Sequence, residues 1–273
     1  MNEMNQSFLR EYSSDFAVMK YSKKTAGLGI NFILESEYGP IYLKSVREQL
    51  QAPVENGIRM LEFGCGAGMN LIYCMGLFNR NGIPIEQAYG TDFSERLITE
   101  ARSELRALPS SLRVRVGFSV ARNETIGTDL ATTLNVRAEK VRRSFHFIFG
   151  VNTFRYPYRL GKGENCARGI YELLMPGGVC VVIDMNNKFP MFRTRLRDKA
   201  TRPAGECYLP TLKEYAQPFA SAGFEILENR NFCWVPHSAG RGLLVLTRAV
   251  SPVLTSLVPS FAMRSLVVCR RPL

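Results

Sequence analysis

The sequence has little histidine and no closely paired cysteines. Its only imidazole groups are His146 and His237, and its seven cysteines are scattered without a CxxC pair. Zinc sites and disulfide frameworks need closely spaced ligands or partners, so neither is predicted, and we expect no bound metal.

Long apolar runs are also missing. The N-terminal stretch lacks the apolar core and cleavage site of a secretory signal, and no run approaches the roughly 18 apolar residues that a membrane-spanning helix needs. We therefore expect a cytoplasmic protein with reduced cysteines. Repeats and low-complexity tracts are absent too, so the 273 residues suit one large domain, or one domain with an appendage.

Acidic residues are scarce relative to basic ones. The formal net charge is +11, and residues 189–273 supply +7 of it, with twelve Lys or Arg against five Asp or Glu. Much of this excess lies in Arg193 to Lys199. Such a segment forms either a solvated basic face or a contact for an anionic substrate or lipid surface.

From Ile58 onward, short apolar runs alternate with amphipathic segments, a pattern that predicts a parallel sheet covered by helices. Strands are expected at 58–63, 87–92, 112–118, 145–150, 179–185, 224–234 and 263–271, and helices at 69–78, 95–108, 128–140, 164–174 and 211–223. The first 55 residues predict a helical cap before a domain spanning 56–273. The long connection 235–262 predicts a helical insertion, a candidate lid.

The segment from Glu62 to Gly68 joins an apolar strand to a helix. Its glycines allow a sharp turn and a close approach of the backbone to a ligand, and the following helix N-terminus adds donors and a positive dipole end. A dinucleotide fingerprint would need a sixth-position glycine, where this chain has Met69. The spacing is instead E-x-G-x-G-x-G.

This spacing resembles motif I of the class I S-adenosylmethionine-dependent methyltransferases. Three further segments are similar to that family: GTDFSERLITEAR (90–102) to its second strand and following helix, FHFIFGVNTFRY (145–156) to its motif IV, and YELLMPGGVCVVID (171–184) to its helix, PGG turn and fifth strand. The resemblance covers 58–185 well. It implies a doubly wound, mostly parallel seven-stranded sheet with an antiparallel last strand.

The resemblance also implies S-adenosylmethionine as the cofactor. Glu62 would help to hold its aminoacyl portion and Asp92 its ribose diol, because a carboxylate offers two acceptors to two donors. Phe93 would lie beside the adenine, and the amide oxygen of Asn123 would accept a hydrogen bond from the adenine amino group. Tyr21 would reach the cofactor from the N-terminal helix. The residues assigned to the cofactor are Tyr21, Glu62, Gly64, Cys65, Gly66, Gly68, Asp92, Phe93, Asn123, Gly150 and Val151.

The strand-four region departs from the family in two places. His146 stands where the family commonly has Asp, and its alternation with phenylalanines favours a histidine on a strand face without a chemical role. The exit loop 151–156 lacks the N-P-P-Y pattern of the amino-group methylases that act on DNA. This departure weakens a nucleobase acceptor.

Methyl transfer is a direct displacement, so a general base is needed only if the acceptor must lose a proton. His237 is a candidate for that base or for a substrate contact, and a structural loop residue is the other interpretation. Tyr156 is the second catalytic candidate, with Tyr158 as its alternative.

The sequence features that bear on the methyl acceptor lie near the two ends of the chain. The apolar segment 242–262 predicts a hydrophobic lid, a shallow membrane anchor or ordinary core packing. With the aromatic N-terminal helices it favours a small hydrophobic, lipid-like or secondary-metabolite acceptor, methylated at O, N or activated C, with no stable nucleic-acid partner. The alternatives are an RNA or protein methyltransferase that docks through the basic C-terminal third, and a non-catalytic cofactor-binding protein.

Overall fold

A seven-stranded sheet with the order β3-β2-β1-β4-β5-β7-β6 forms the centre of the molecule. The computed structural model describes residues 27–190 and 209–273. The first five strands pair in parallel, and β7 runs antiparallel between β5 and β6. The strands are β1 (Ile58–Phe63), β2 (Ile85–Asp92), β3 (Val116–Val120), β4 (Phe145–Val151), β5 (Leu174–Met185), β6 (Glu225–Phe232) and β7 (Arg264–Arg270). The predicted fold class is confirmed.

Helices cover both faces of the sheet, which explains why the central strands are nearly continuous apolar runs. Every residue of β4 is buried. The longer helices that follow strands β1 to β5 are Met69–Arg80, Glu95–Glu104, Ile126–Thr133, Gly163–Leu173 and Leu212–Ser221. Ser94 caps the second of these, and Thr211 forms a capping box with Glu214 on the last.

Three predicted boundaries are wrong for local reasons. Residues 110–113 form a helical turn after Pro109, so the third strand begins only at Val116. The helix predicted over 128–140 divides into Ile126–Thr133 and Ala138–Val141, because Asn135 has φ +52° and ends the first segment. The Pro-Gly-Gly turn lies inside β5, where Gly177 has φ +77° and packs against the backbone of Ala52.

A helix at 28–49 packs across the sheet. It alternates between α-helical segments (Leu28–Phe32 and Gly39–Lys44) and π-helical segments (Ile33–Tyr38 and Ser45–Gln49). Its side chains share one apolar core with β1 and β4. This N-terminal helix therefore forms a wall of the main body of the protein.

The connection between β6 and β7 contains the predicted helical insertion. Its main element, which we call the surface helix, is Arg241–Leu257, and a 3₁₀ turn at Pro259–Phe261 follows. Within the parts of the chain that the structure describes, no helix is long and apolar enough to cross a membrane.

Candidate active site

The loop after β1 turns through left-handed backbone conformations at Gly64 (φ +63°), Gly66 (φ +55°) and Gly68 (φ +80°). At Gly64 a Cβ would lie 1.9 Å from Oγ1 of Thr153, in the loop after β4. Only glycine fits there, because both the backbone angle and the available space exclude a side chain. The glycine loop is thus held directly against the exit of β4.

Asp92 ties this loop to the end of β2. The carboxylate is 5% exposed, and it accepts hydrogen bonds from the backbone N–H groups of Gly66 (2.9 Å) and Ser94 (2.9 Å). Burial raises the pKa of Asp92 to about 6, while these backbone donors oppose the shift. The site therefore holds a carboxylate beside the glycine loop, at the edge of a cavity.

Glu62 lies behind the loop and is completely buried. Neither carboxylate oxygen makes a hydrogen bond of normal geometry with any described residue. Burial raises the pKa of Glu62 well above its usual value, and the Asn70 side chain and the Leu71 N–H only partly offset this rise. A buried acceptor whose hydrogen bonds are this poor is costly, and a ligand that brings donors would relieve that cost.

A cavity of about 700 Å³ opens beside the glycine loop. Of the residues predicted from the sequence, those that line it are Gly64, Cys65, Gly66, Asp92, Phe93, Asn123, Val151, Tyr156 and His237. The structure thus brings together residues from five separate segments at the carboxyl ends of the strands, where doubly wound sheets bind ligands.

Three predicted residues within the described part of the chain are not in this lining. Glu62 is the buried carboxylate behind the loop, while Gly68 and Gly150 lie against phenylalanine rings, with positions for a Cβ 2.7 Å from Phe118 and 2.5 Å from Phe63 respectively. Tight packing accounts for both of these glycines. Tyr21 lies outside the described residues.

The predicted contacts Asn123 and Tyr156 are both engaged by neighbours. The amide nitrogen of Asn123 donates to Oγ1 of Thr153 (2.8 Å), which leaves its oxygen as the atom suited to accept from a ligand. The hydroxyl of Tyr156 accepts from Arg155 (2.8 Å), whose guanidinium also lies 4.8 Å from the ring centre.

The sequence interpretation missed a polar cluster on the opposite wall. Asp184, at the end of β5, is buried and accepts from the backbone N–H of Arg155 (3.0 Å), and the Arg155 guanidinium lies 3.8 Å from its other oxygen. Burial raises the pKa of Asp184, and the positive charge of Arg155 opposes that rise.

Arg264, at the start of β7, completes this cluster. Its guanidinium donates to Oδ1 of Asn152 (2.8 Å) and lies 2.9 Å from Nε2 of His237. A guanidinium can only donate, so Nε2 is the acceptor and a neutral His237 ring carries its proton on Nδ1. Asn152 has φ +55°, a conformation that asparagine tolerates and that recurs at functional sites.

Tyr38 is the N-terminal tyrosine that reaches the cavity within the described residues. It lies on the π-helical segment Ile33–Tyr38, lines the cavity, and has a buried hydroxyl without a hydrogen-bond partner among those residues. π-Helical turns often occur at functional sites. The only sequence feature that points to Tyr38 is its aromatic side chain within a predicted N-terminal helix.

His146 lies at the start of β4, away from the cavity. Nδ1 accepts from the backbone N–H of Arg59 (3.0 Å), and Nε2 lies 2.9 Å from the carbonyl oxygen of Pro53. Both ring nitrogens thus join backbone segments, in agreement with a structural histidine.

Residues 37–229 match the model of a protein family whose description is "methyltransferase domain". The chain belongs to the class I S-adenosylmethionine-dependent methyltransferases. This methyltransferase is also 26% identical to the non-reducing polyketide synthase esdpA of Penicillium shearii over 149 residues, which are 55% of this chain and 6% of that synthase. The chain therefore spans only a small part of that relative.

Two solved structures show the same fold over nearly the whole chain. One belongs to the complex between the Haloferax volcanii Trm112 methyltransferase activator and a methyltransferase (15% identity, TM-score 0.60, covering 97% of this chain and 98% of that one). The other is a geranyl diphosphate methyltransferase in complex with GPP and sinefungin (13% identity, TM-score 0.58, covering 98% and 99%).

The cofactor of this methyltransferase is S-adenosylmethionine, and the residues of the site fit it. The cofactor brings an ammonium group and a ribose diol, both of them donors. Glu62 is a buried acceptor that makes no hydrogen bond of normal geometry with the described residues, and Asp92 is a carboxylate at the cavity edge. The glycine loop and Asp92 line the same cavity, and Glu62 lies directly behind that loop.

Proposed function

We propose that this methyltransferase methylates a small hydrophobic acceptor, at oxygen, nitrogen or an activated carbon, inside the cavity. The observation that carries the proposal is the cavity itself, in which the glycine loop and an apolar wall face the same space of about 700 Å³. Pockets for small molecules measure about 300–1,000 Å³ and are mostly apolar, with a few polar groups that fix orientation.

The apolar wall comes mainly from the N-terminal helix and the chain around β5 and β7. It consists of Ile30, Ile33, Leu34, Tyr38, Met185 and Met263. In this proposal residues 1–55 act as a cap on the methyltransferase domain (56–273), and the N-terminal helix closes one side of the cavity while it shares the core of that domain.

Bound S-adenosylmethionine supplies an electrophilic methyl group on a sulfonium. The protein then has to align an acceptor atom with that methyl and to exclude water. We assign the holding of the cofactor to Asp92 and Glu62, and the orientation of the acceptor to Asn152 and Arg264. In this proposal, Tyr156 contacts the acceptor from the short helix Arg155–Arg159, which follows β4.

His237 contributes to acceptor orientation in this proposal. Its Nε2 is occupied by Arg264, so a ring with its proton on Nδ1 is a hydrogen-bond donor toward its surroundings. That arrangement favours binding of an acceptor's oxygen over removal of its proton.

The relatives are compatible with such an acceptor. One relative is a polyketide synthase, and one structural neighbour is a geranyl diphosphate methyltransferase in complex with GPP and sinefungin. The alternative, an RNA or protein acceptor, has support from the neighbour that is complexed with Trm112. That alternative depends on the basic C-terminal third, of which the segment Arg193–Lys199 lies outside the described residues.

The test is release of S-adenosylhomocysteine by the full chain. One set of reactions contains hydrophobic acceptors that carry a phenol, an enolisable ketone or an amine, and the other contains total RNA or a protein extract. We expect saturable release with a member of the first set. Methyl label in RNA or protein alone would reject the acceptor class, and failure to bind S-adenosylhomocysteine by calorimetry would reject the function itself.

A further inference from the structure

The surface helix, Arg241–Leu257, turns apolar side chains toward the outside. None of its residues is buried, and Val245 and Leu257 are 65% and 73% exposed. The exposed large apolar side chains of this helix and the turn after it are Leu243, Val245, Leu246, Val250, Val253, Leu257, Val258 and Phe261. A contiguous exposed apolar surface of this kind marks an interaction site.

Five of these side chains form one line along the helix, which we call the apolar stripe. They are Leu243, Leu246, Val250, Val253 and Leu257, at alternating spacings of three and four residues that bring them to one face of a helix. An ordinary surface helix buries such a stripe against the core. Here the stripe faces away from the protein.

The polar groups of the helix are used elsewhere. Thr247 and Ser251 donate to the helix's own carbonyl oxygens, Thr255 accepts from Trp234 (3.0 Å), and the Arg248 guanidinium lies 5.3 Å from the centre of the Phe32 ring. The contacts with Trp234 and Phe32 hold the helix against the protein, with the stripe exposed.

The charged residues on both sides of the stripe along the chain have one sign. From Asn229 to Leu273 the sequence contains no Asp or Glu, and Arg241 and Arg248 are the charged residues of the helix. An anionic surface would be attracted to this region. A second copy of the chain, which also carries a net charge of +11, would bring arginines against arginines.

The surface helix also adjoins the cavity. It packs against Leu28–Phe32, of which Ile30 lines the cavity, and it follows directly after the cavity-lining residues Pro236, His237 and Ser238. A surface that met the apolar stripe would therefore lie beside the cavity.

We propose that the surface helix binds an anionic lipid bilayer, lying in its plane with the apolar stripe inserted at the boundary between headgroups and acyl chains. Amphipathic helices bind in this way through buried apolar area and attraction of arginines to anionic lipids. At about 1.5 Å per residue the helix is about 25 Å long, which provides an extended contact parallel to the membrane.

The experiment measures binding of the full chain to vesicles of phosphatidylcholine alone and of phosphatidylcholine mixed with phosphatidylglycerol. Cosedimentation gives the affinity. Trp234, the only tryptophan of the chain, bonds to the surface helix, so its fluorescence reports contact at this site. We expect binding at least about tenfold tighter to the anionic vesicles, and a shift of the emission to shorter wavelength.

Two matched variants test whether the apolar stripe is the part of the protein that contacts the vesicle. Leu246→Glu adds a charge within the stripe, and Ser256→Glu adds the same charge at an exposed position outside it. We expect Leu246→Glu to weaken vesicle binding about tenfold and Ser256→Glu to weaken it less than about threefold. Circular dichroism and binding of S-adenosylhomocysteine, which should stay within twofold, check that each variant is folded.

Three outcomes would overturn the proposal. They are no binding to anionic vesicles, equal loss in the two variants, and a stable dimer in sedimentation equilibrium that Leu246→Glu dissociates. The last would assign the stripe to self-association. None of these measurements depends on methyl transfer, so the membrane proposal and the proposed function can fail separately.

Discussion

The two walls of the cavity are built in different ways. The cofactor wall lies within a short stretch of sequence, and its groups are backbone N–H donors and carboxylates placed by the ends of β1 and β2. The opposite wall assembles side chains from distant segments, such as Asn152 and Arg264, which are 112 residues apart. Recognition by the backbone leaves a local pattern in the sequence, because glycines are needed at fixed positions. Recognition by distant side chains leaves none.

The largest effect should come from Gly64→Ala on the cofactor wall. An alanine at this position would have to adopt a left-handed backbone conformation, and its Cβ would lie 1.9 Å from Thr153 Oγ1. We expect affinity for S-adenosylhomocysteine to fall at least about 100-fold, measured by calorimetry, because the loop must move to relieve the overlap.

Gly82→Ala is the matched control for the backbone angle. Gly82 has φ +68°, but nothing lies within 4 Å of its Cβ position. This variant should lose about 1–2 kcal/mol of stability from the left-handed conformation and keep its affinity for the cofactor product. Equal effects of the two substitutions would show that strain, and not the packing of the loop against Thr153, limits binding.

On the other wall, Arg264→Met should reduce the free energy of unfolding by about 3 kcal/mol, because Asn152 and His237 lose a buried donor and Asp184 a nearby positive charge. Binding of S-adenosylhomocysteine should change less than about threefold, since Arg264 belongs to the acceptor wall. Denaturant unfolding and calorimetry measure the two quantities.

Arg270→Met, on the same strand, is the control. Arg270 pairs with a half-exposed Glu225 and donates to the carbonyl oxygen of Gln49 (3.2 Å), so its loss should cost about 1–1.5 kcal/mol, less than the loss of Arg264. A large loss of cofactor-product affinity in Arg264→Met would mean that the two walls are not separate.

The same division explains what could be read from the sequence. The order of strands and helices, the glycine loop and Asp92 depend on local patterns, and the structure contains all of them. Arg264 and Asp184 lie within apolar strands, and a charge there is interpretable only when its partners are known. Among the tyrosines of the N-terminal helices, the family resemblance pointed to Tyr21. It could not show that Tyr38 faces the cavity, because a π-helical segment changes which side chains share a face.

Errors in the boundaries have the same origin. Pro109 and Asn135 each change the backbone direction within a few residues. Helix or strand propensity averaged over a longer stretch of sequence does not detect such a local change. The direction of the surface helix could not be predicted either. An apolar stripe has the same sequence pattern whether it faces the core or the outside.

A smaller effect concerns pH on the cofactor wall. Burial raises the pKa of Asp92 to about 6, above its unfolded value, so its carboxylate opposes folding, and this cost increases as pH rises from about 4 to 6. The ribose hydroxyls of the ligand need the ionised carboxylate of Asp92 as their hydrogen-bond acceptor, and that carboxylate is mostly protonated at pH 5. Affinity for S-adenosylhomocysteine should therefore fall about tenfold from pH 7.5 to pH 5. Asp92→Asn should bind more weakly at pH 7.5 and show little change across this range, and a parallel pH profile in that variant would assign the effect to another group.

The smallest expected effect separates the two interpretations of His237. If Nε2 only accepts from Arg264, then the amide oxygen of glutamine can replace it, and His237→Gln should change the free energy of unfolding by less than about 0.5 kcal/mol. His237→Leu leaves the Arg264 donor without that acceptor and should cost about 1–3 kcal/mol. Turnover gives the complementary measurement, since a general base cannot be replaced by an amide, whereas a group that orients the acceptor can. Loss of turnover in His237→Gln with unchanged stability would therefore assign proton removal to His237, and the acceptor wall would have a chemical role beyond orientation.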